Sequence, residues 1–162
     1  MITVGIITVS DRSSRGERAD LSGPEIEKWA RAQGYGVDST EVVPDEIEAI
    51  EEALLRCVGQ GTALVLTTGG TGFSSRDHTP EATLKVIERN APGLVEAVRA
   101  RSLLITPHAM LSRAVSGIRG RSIIINLPGS PKAVRESLEV IETALPHAVR
   151  ILRGETGDCG GP

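Results

Sequence analysis

Aromatic side chains are almost missing from this chain: Trp29, Tyr35 and Phe73 make up 2% of the residues, against 40% hydrophobic overall. The core must therefore be built from Val, Ile, Leu and Ala, which suits a mostly parallel sheet covered by helices on both faces. Cysteine is also scarce. Cys57 falls in a helical pattern and Cys159 in the tail, so no disulfide framework is expected and both read as free thiols of a reducing compartment. Charge of one sign is lacking too: 18 basic and 21 acidic residues leave a net charge of −3, with no long run of either. That balance gives no bulk attraction to nucleic acid. No apolar stretch approaches the ~20 residues that span a bilayer, and no basic-then-apolar leader opens the chain. A cytoplasmic protein without membrane contact is expected.

Several familiar signatures are absent as well. There is no GxxxxGK[ST], no GxGxxG after the first strand and no GxSxG, which weighs against P-loop enzymes, Rossmann dinucleotide sites and α/β-hydrolases. His78, His108 and His147 are widely spaced and no CxxC exists, so a structural zinc site has no support.

What is present is alternation. ITVGIITV, residues 2 to 9, is a near-continuous β-branched run, the pattern of a central strand buried on both faces. A polar loop follows, residues 10 to 20, where α/β folds place ligands. A helix is expected from Ser22, as N-cap, to Gln33, then a strand from Tyr35 to Val43 and a helix from Pro44 to Val58 stopped by Gly59. Thr62 to Thr67 reads as the third strand. Helices are predicted over 80–90 and 93–101, and an irregular stretch over 103–112 with a helical turn near 109–111. A hairpin (114–118 and 122–126) precedes a last amphipathic helix that starts at Ser130-Pro131 and breaks at Pro146, with a short second segment over 147–153. The whole predicts a three-layer αβα sandwich whose sheet is mostly parallel with one antiparallel member. A single domain is expected over 1–153, with 154–162 a frayed tail.

Two loops stand out. TTGGTG, Thr67 to Gly72, links a strand to a helix start at Thr79-Pro80. Glycines allow close backbone approach, and a helix N-terminus offers free N–H groups, so the loop reads either as a phosphate cradle or as a plain glycine-rich turn. NLPGSP, Asn126 to Pro131, repeats the arrangement, with Ser130 as N-cap and Lys132 in the first turn, where the helix dipole disfavours a cation. A bound anion would relieve that penalty; a solvated lysine is the other reading. Two carboxylates hold matching positions beside these loops. Asp45 reads as the N-cap of a capping box with Glu48, whereas Asp77, with Thr79 already supplying a cap, suits Mg²⁺ held together with substrate phosphates.

TVSDR at 8–12, PDE at 44–46, TTGGTG at 67–72, RDHTPEAT at 76–83, LSR at 111–113 and NLPGSPKA at 126–133 together resemble the molybdopterin adenylyltransferase family of MogA/MoaB type, in the right order over nearly the whole chain. The resemblance implies a homotrimer that uses ATP and Mg²⁺ to transfer AMP to the terminal phosphate of molybdopterin, releasing pyrophosphate. Carried over by motif, Asp45 and Asp77 would serve the metal and the transfer, and Gly69, Gly70, Thr71 and Gly72 would bind the nucleotide. Ser10, Asp11, Ser112, Asn126, Pro128, Gly129, Ser130 and Lys132 would line the adjoining pterin and phosphate pocket. Arg12, Arg15, Arg76, Arg113 and Lys132 lie in or beside these loops and would supply a local positive funnel. Two other outcomes are implied by the same resemblance: a pterin-binding paralogue without catalysis, and a trimeric interaction module, which a chain stopping at Pro162 without a second domain makes less expected.

Overall fold

The structure, a computed structural model, describes residues 1–155; Cys159 and the expected tail beyond Glu155 lie outside them. The chain runs β1 (Thr3–Val9), α1 (Asp11–Ser14), α2 (Ser22–Ala32), β2 (Gly36–Val43), α3 (Ile47–Gly59), β3 (Leu64–Thr68), α4 (Thr79–Val86), β4 (Arg89–Asn90) and α5 (Gly93–Leu103). A 3-10 turn (Pro107–Leu111), β5 (Ser116–Arg119), β6 (Ser122–Leu127), α6 (Pro131–Ile141) and α7 (Leu145–Arg153) complete it. One six-stranded sheet has the order β2-β1-β3-β6-β5-β4. β2, β1, β3 and β6 are parallel, and β5 runs against both of its neighbours, as the pattern predicts.

The β-branched runs explain the layers. Along β1 and β3, Val4, Ile6, Leu64 and Leu66 face α2, α5, α6 and α7, while Ile7, Val9 and Val65 face α3 and α4. Both faces of the central strands are dry, so period-2 alternation of polarity is absent from them. Each long helix turns one apolar face inward: Ile26 and Ala30 of α2, and Ile50, Leu54 and Cys57 of α3, are buried. Cys57 is a free buried thiol. No helix among the described residues is long and apolar enough to cross a membrane.

Four local expectations need correction. Residues 11–14 form a helical turn inside the expected loop, because Ser10 Oγ accepts the Ser13 N–H at 3.1 Å. Ser22 does not cap α2; Asp20 Oδ1 accepts the N–H groups of Ser22 and Gly23 at 3.2 and 3.0 Å. Helix α3 starts at Ile47, not Pro44, and ends one residue past Val58, with the left-handed Gly61 after its C-cap Gln60. The helix expected over 80–90 ends at Val86, and Arg89–Asn90 pairs with β5 as an edge strand. Sequence period misses this because the stop is tertiary. Ile87 turns extended and packs over Gly117, where a Cβ would come within 2.7 Å of Ile87 Cδ1, and Arg119 Nη1 takes the freed Val86 carbonyl at 2.9 Å.

Candidate functional site

The chain leaves β1 for β2 on one side and returns to β3 on the other, which makes the β1/β3 gap a topological switch point. Loops diverging from such a gap open a crevice at the carboxyl ends of the strands. Ser10 and Asp11 follow β1 there, Gly69 follows β3, and Pro128 to Ser130 follow β6.

Glycine is required where these loops meet. Gly69 has φ +96°, and a Cβ on it would lie 2.5 Å from the Val9 carbonyl oxygen; at Gly70, with φ +68°, a Cβ would lie 3.2 Å from Asp45 Oδ1. No other residue lets backbone run so close to its neighbours in that conformation. The loops are also tied down. Gly69 N–H donates to the Leu127 carbonyl at 3.2 Å, Thr79 Oγ1 to the Gly69 carbonyl at 2.9 Å, Thr68 Oγ1 to Pro128 at 2.6 Å and Ser22 Oγ to Gly129 at 2.5 Å. A Cβ on Gly129 would stand 3.5 Å from Gly69 Cα, so the two glycine loops form a saddle. A polar cavity of about 190 Å³ lies on one side, lined among others by Ser10, Ser13, Arg18 and Thr68. A more apolar one of about 310 Å³ lies beyond Gly72, lined among others by Thr71, Val95, Val98, Ser112 and Pro128. Arg18 was not singled out by any sequence pattern.

The carboxylates gather beside the saddle. Asp45 caps nothing: Glu46 is the N-cap residue of α3 and makes no side-chain cap bond. Instead Asp45 Oδ2 accepts the Asp11 N–H at 2.8 Å, and Asp45 N–H donates to Asp11 Oδ1 at 3.0 Å. Burial pushes the Asp45 carboxyl above the ordinary aspartate range, and the charges of Asp11 and Asp77 add to this. Asp11 goes the other way, held low chiefly by its bonds to Arg76, whose Nε and Nη2 donate to its two oxygens at 3.0 Å each. Thr79 also departs from its expected role, since it stands inside α4 while His78 is the N-cap residue. Asp77 Oδ2 accepts the Ser74 N–H at 2.9 Å and stays near Gly72.

The expected positive funnel is largely neutralised. Arg15 pairs with Glu17, Arg76 with Asp11 and Glu46, and Arg113 with Glu81, while Lys132 is 76% exposed and 3.8 Å from Glu136. Lys132 is thus a solvated lysine with a neighbour one turn on. Ser10, Ser112 and Ser130 each accept a local backbone N–H through Oγ, which leaves their hydroxyl protons to donate. Asn126 is a different case. It is 2% exposed, its Nδ2 donates to Thr67 and Thr83 at 3.0 and 2.9 Å, and its Oδ1 accepts the Val115 N–H at 3.0 Å. That amide spends both of its donors and one acceptor position on binding β3, β6 and α4 together, at the wall of the larger cavity.

Comparison with known proteins agrees with the motifs. The family model described as a probable molybdopterin binding domain matches residues 5–147. A molybdopterin adenylyltransferase of Helicobacter pylori J99 is 44% identical, covering 94% of this chain and 89% of that protein. Gephyrin of Dictyostelium discoideum is also 44% identical over 94% of this chain, but the chain spans only 23% of its length. The solved structure of the molybdopterin biosynthesis enzyme MoaB from Thermus thermophilus matches with TM-score 0.89 at 48% identity, covering 95% of this chain and 98% of that one. With a full-length fold match, a family match across the glycine loops and this identity, the chain belongs to the molybdopterin-binding domain family of molybdenum cofactor biosynthesis, the family that includes the molybdopterin adenylyltransferases.

Proposed function

We propose that this chain is a molybdopterin adenylyltransferase, transferring AMP from ATP to the terminal phosphate of molybdopterin with Mg²⁺. An oxygen of that phosphate bonds to the α-phosphorus of ATP, the bond from the α-phosphorus to its bridging oxygen breaks, and pyrophosphate leaves. Two polyanions must meet in line, so the site has to neutralise charge and fix geometry.

The observation that carries the reading is Asp45. Its carboxylate is partly buried, takes a hydrogen bond from the Asp11 amide and lies near the charges of Asp11 and Asp77, yet no cationic side chain among the described residues forms a salt bridge with it. Such a group fits a hard cation. Mg²⁺ is typically held by one or two carboxylates, with waters and substrate phosphates completing its shell. Asp45 and Asp77 would hold it, and when bound it would draw charge from the reacting phosphates. The left-handed Gly69 and Gly70 would offer backbone to the nucleotide, and the hydroxyls of Ser10, Ser112 and Ser130 would donate to phosphate and pterin groups together with Gly129. Asp11 and Asn126 act as supports in this reading. The cavities on the two sides of the saddle give room for two substrates.

Assembly into a homotrimer belongs to the same proposal. Leu103, Leu104, Ile105, Met110 and Leu111 are exposed along one stretch, an apolar run of the kind that marks an interface. Mass spectrometry after incubation with molybdopterin, ATP and Mg²⁺ tests the reaction: adenylylated molybdopterin is expected, and pterin that stays bound but unmodified would point to the paralogue without catalysis.

A further inference from the structure

Arg113 lies beside the candidate site, and its side chain is turned onto protein rather than into either cavity. Its backbone N–H donates to the Thr71 carbonyl at 2.8 Å. Its Nε donates to the Gly72 carbonyl at 2.7 Å and its Nη2 to the Asp77 carbonyl at 2.8 Å, while Nη1 bonds to Glu81. One residue thus grips both ends of the stretch from Gly72 to Asp77.

The ends of that stretch need an anchor. Residues 73–76 are exposed; the Arg76 side chain ties the middle to Asp11 and Glu46, and the stretch's own bonds join only Ser74 to Arg76 and Asp77, through the Arg76 N–H at 3.4 Å, the Asp77 N–H at 3.0 Å and Asp77 Oδ2 at 2.9 Å. The anchor is itself held. Arg99 of α5 donates to the carbonyls flanking Arg113, those of Ser112 and Ala114, at 3.1 Å each. Glu81 turns one oxygen to Arg113 and buries the other without a partner among the described residues, so its orientation depends on the guanidinium. A planar fork holds its donors rigidly in diverging directions several ångströms apart, whereas the three donors of an ammonium radiate from one nitrogen.

We propose that Arg113, held by Glu81 and by Arg99, is a positioning residue that clamps the Gly72 and Asp77 carbonyls and so fixes the Asp77 carboxylate for adenylyl transfer. The inference rests on the adenylyltransferase reading. It removes Arg113 from the set of phosphate-binding cations.

The test pairs hydrogen exchange with steady-state kinetics on the full chain and its Arg113→Met, Arg113→Lys and Glu81→Gln variants. Exchange over 72–77 should rise about 10-fold or more in Arg113→Met while the β3 amides stay protected. Turnover should fall roughly 100-fold, with KM for ATP and for molybdopterin within about 3-fold of the parent value. Arg113→Lys should not rescue it, and Glu81→Gln, which keeps an acceptor and folds if Arg113→Met does not, should shift both readouts the same way by less. A raised KM with turnover kept, full rescue by lysine, or unchanged exchange over 72–77 would overturn the clamp. A parent chain with no adenylylation would overturn the functional reading instead, and the exchange measurement would still decide the clamp.

Discussion

Asp11 and Asp45 hold each other reciprocally, the backbone N–H of each donating to the carboxylate of the other, at 2.8 and 3.0 Å across 34 residues of sequence. The exchange fixes the loop after β1 to the loop after β2 at the mouth of the crevice. It also splits the pair. Asp11 carries the Arg76 guanidinium on both oxygens, whereas no cationic side chain among the described residues forms a salt bridge with Asp45, so one carboxyl is held low and the other is raised by burial.

The split sets a pH dependence. A carboxyl raised in the fold contributes stability below the ordinary aspartate range and loses it as pH climbs through its folded value; Asp11, lowered, contributes above that range and loses it as pH falls. Asp45→Asn should therefore raise the melting temperature at pH 8, with no gain at a pH below the ordinary aspartate range, where the parent is protonated too. The same variant should lose AMP transfer. Scanning calorimetry at the two pH values checks the first half, and a variant destabilised at pH 8 would contradict it.

Asp77→Asn keeps an acceptor for the Ser74 N–H, so the loop should hold its shape while losing the charge that Mg²⁺ needs. Folding by circular dichroism should match the parent, and turnover should fall by about 100-fold or more. Parent-level turnover would remove Asp77 from the mechanism.

Gly69 and Gly16 both have positive φ, +96° and +73°, but only Gly69 has a backbone oxygen where a Cβ would go. Gly16→Ala should cost about 1 kcal/mol from conformation alone, whereas Gly69→Ala should cost about 3 kcal/mol or more and distort the saddle. Urea unfolding of the two variants gives the comparison, and equal costs would refute the close-approach account.

Asn126→Ala strips three bonds, two from the buried hydroxyls of Thr67 and Thr83 and one from the half-buried Val115 N–H. A loss of about 2–4 kcal/mol is expected. A stable variant whose only defect is a raised KM for pterin would instead make Asn126 a ligand contact.

The strands of the buried sheet were readable because their β-branched runs have only one home, a sheet covered on both faces, and the hairpin around Gly120 was readable from its turn. Local patterns failed where a remote partner decided the outcome. Residues 89–90 continue a helical period, yet Gly117 gives Ile87 a place to pack and ends the helix. Asp45-x-x-Glu48 has the spacing of a capping box, but Asp11 offers the carboxylate a backbone donor that the helix would otherwise supply. The glycine loops and both carboxylates of the candidate site were legible as motifs. The pairing of its arginines was not, because Asp11, Glu46 and Glu81 reach Arg76 and Arg113 from distant loops and helices with no common spacing.

Asp45 and Asp77 act together in one adenylyl transfer in the proposed reaction. Single-turnover incubation of the chain with ATP labelled in the α-phosphate, Mg²⁺ and molybdopterin measures it directly, comparing parent, Asp45→Asn and Asp77→Asn. Label in molybdopterin should equal the pyrophosphate released, be lost on chelation of Mg²⁺ and be cut about 100-fold or more in each variant. Label transfer that proceeds equally in all three proteins, or none in the parent, would contradict it.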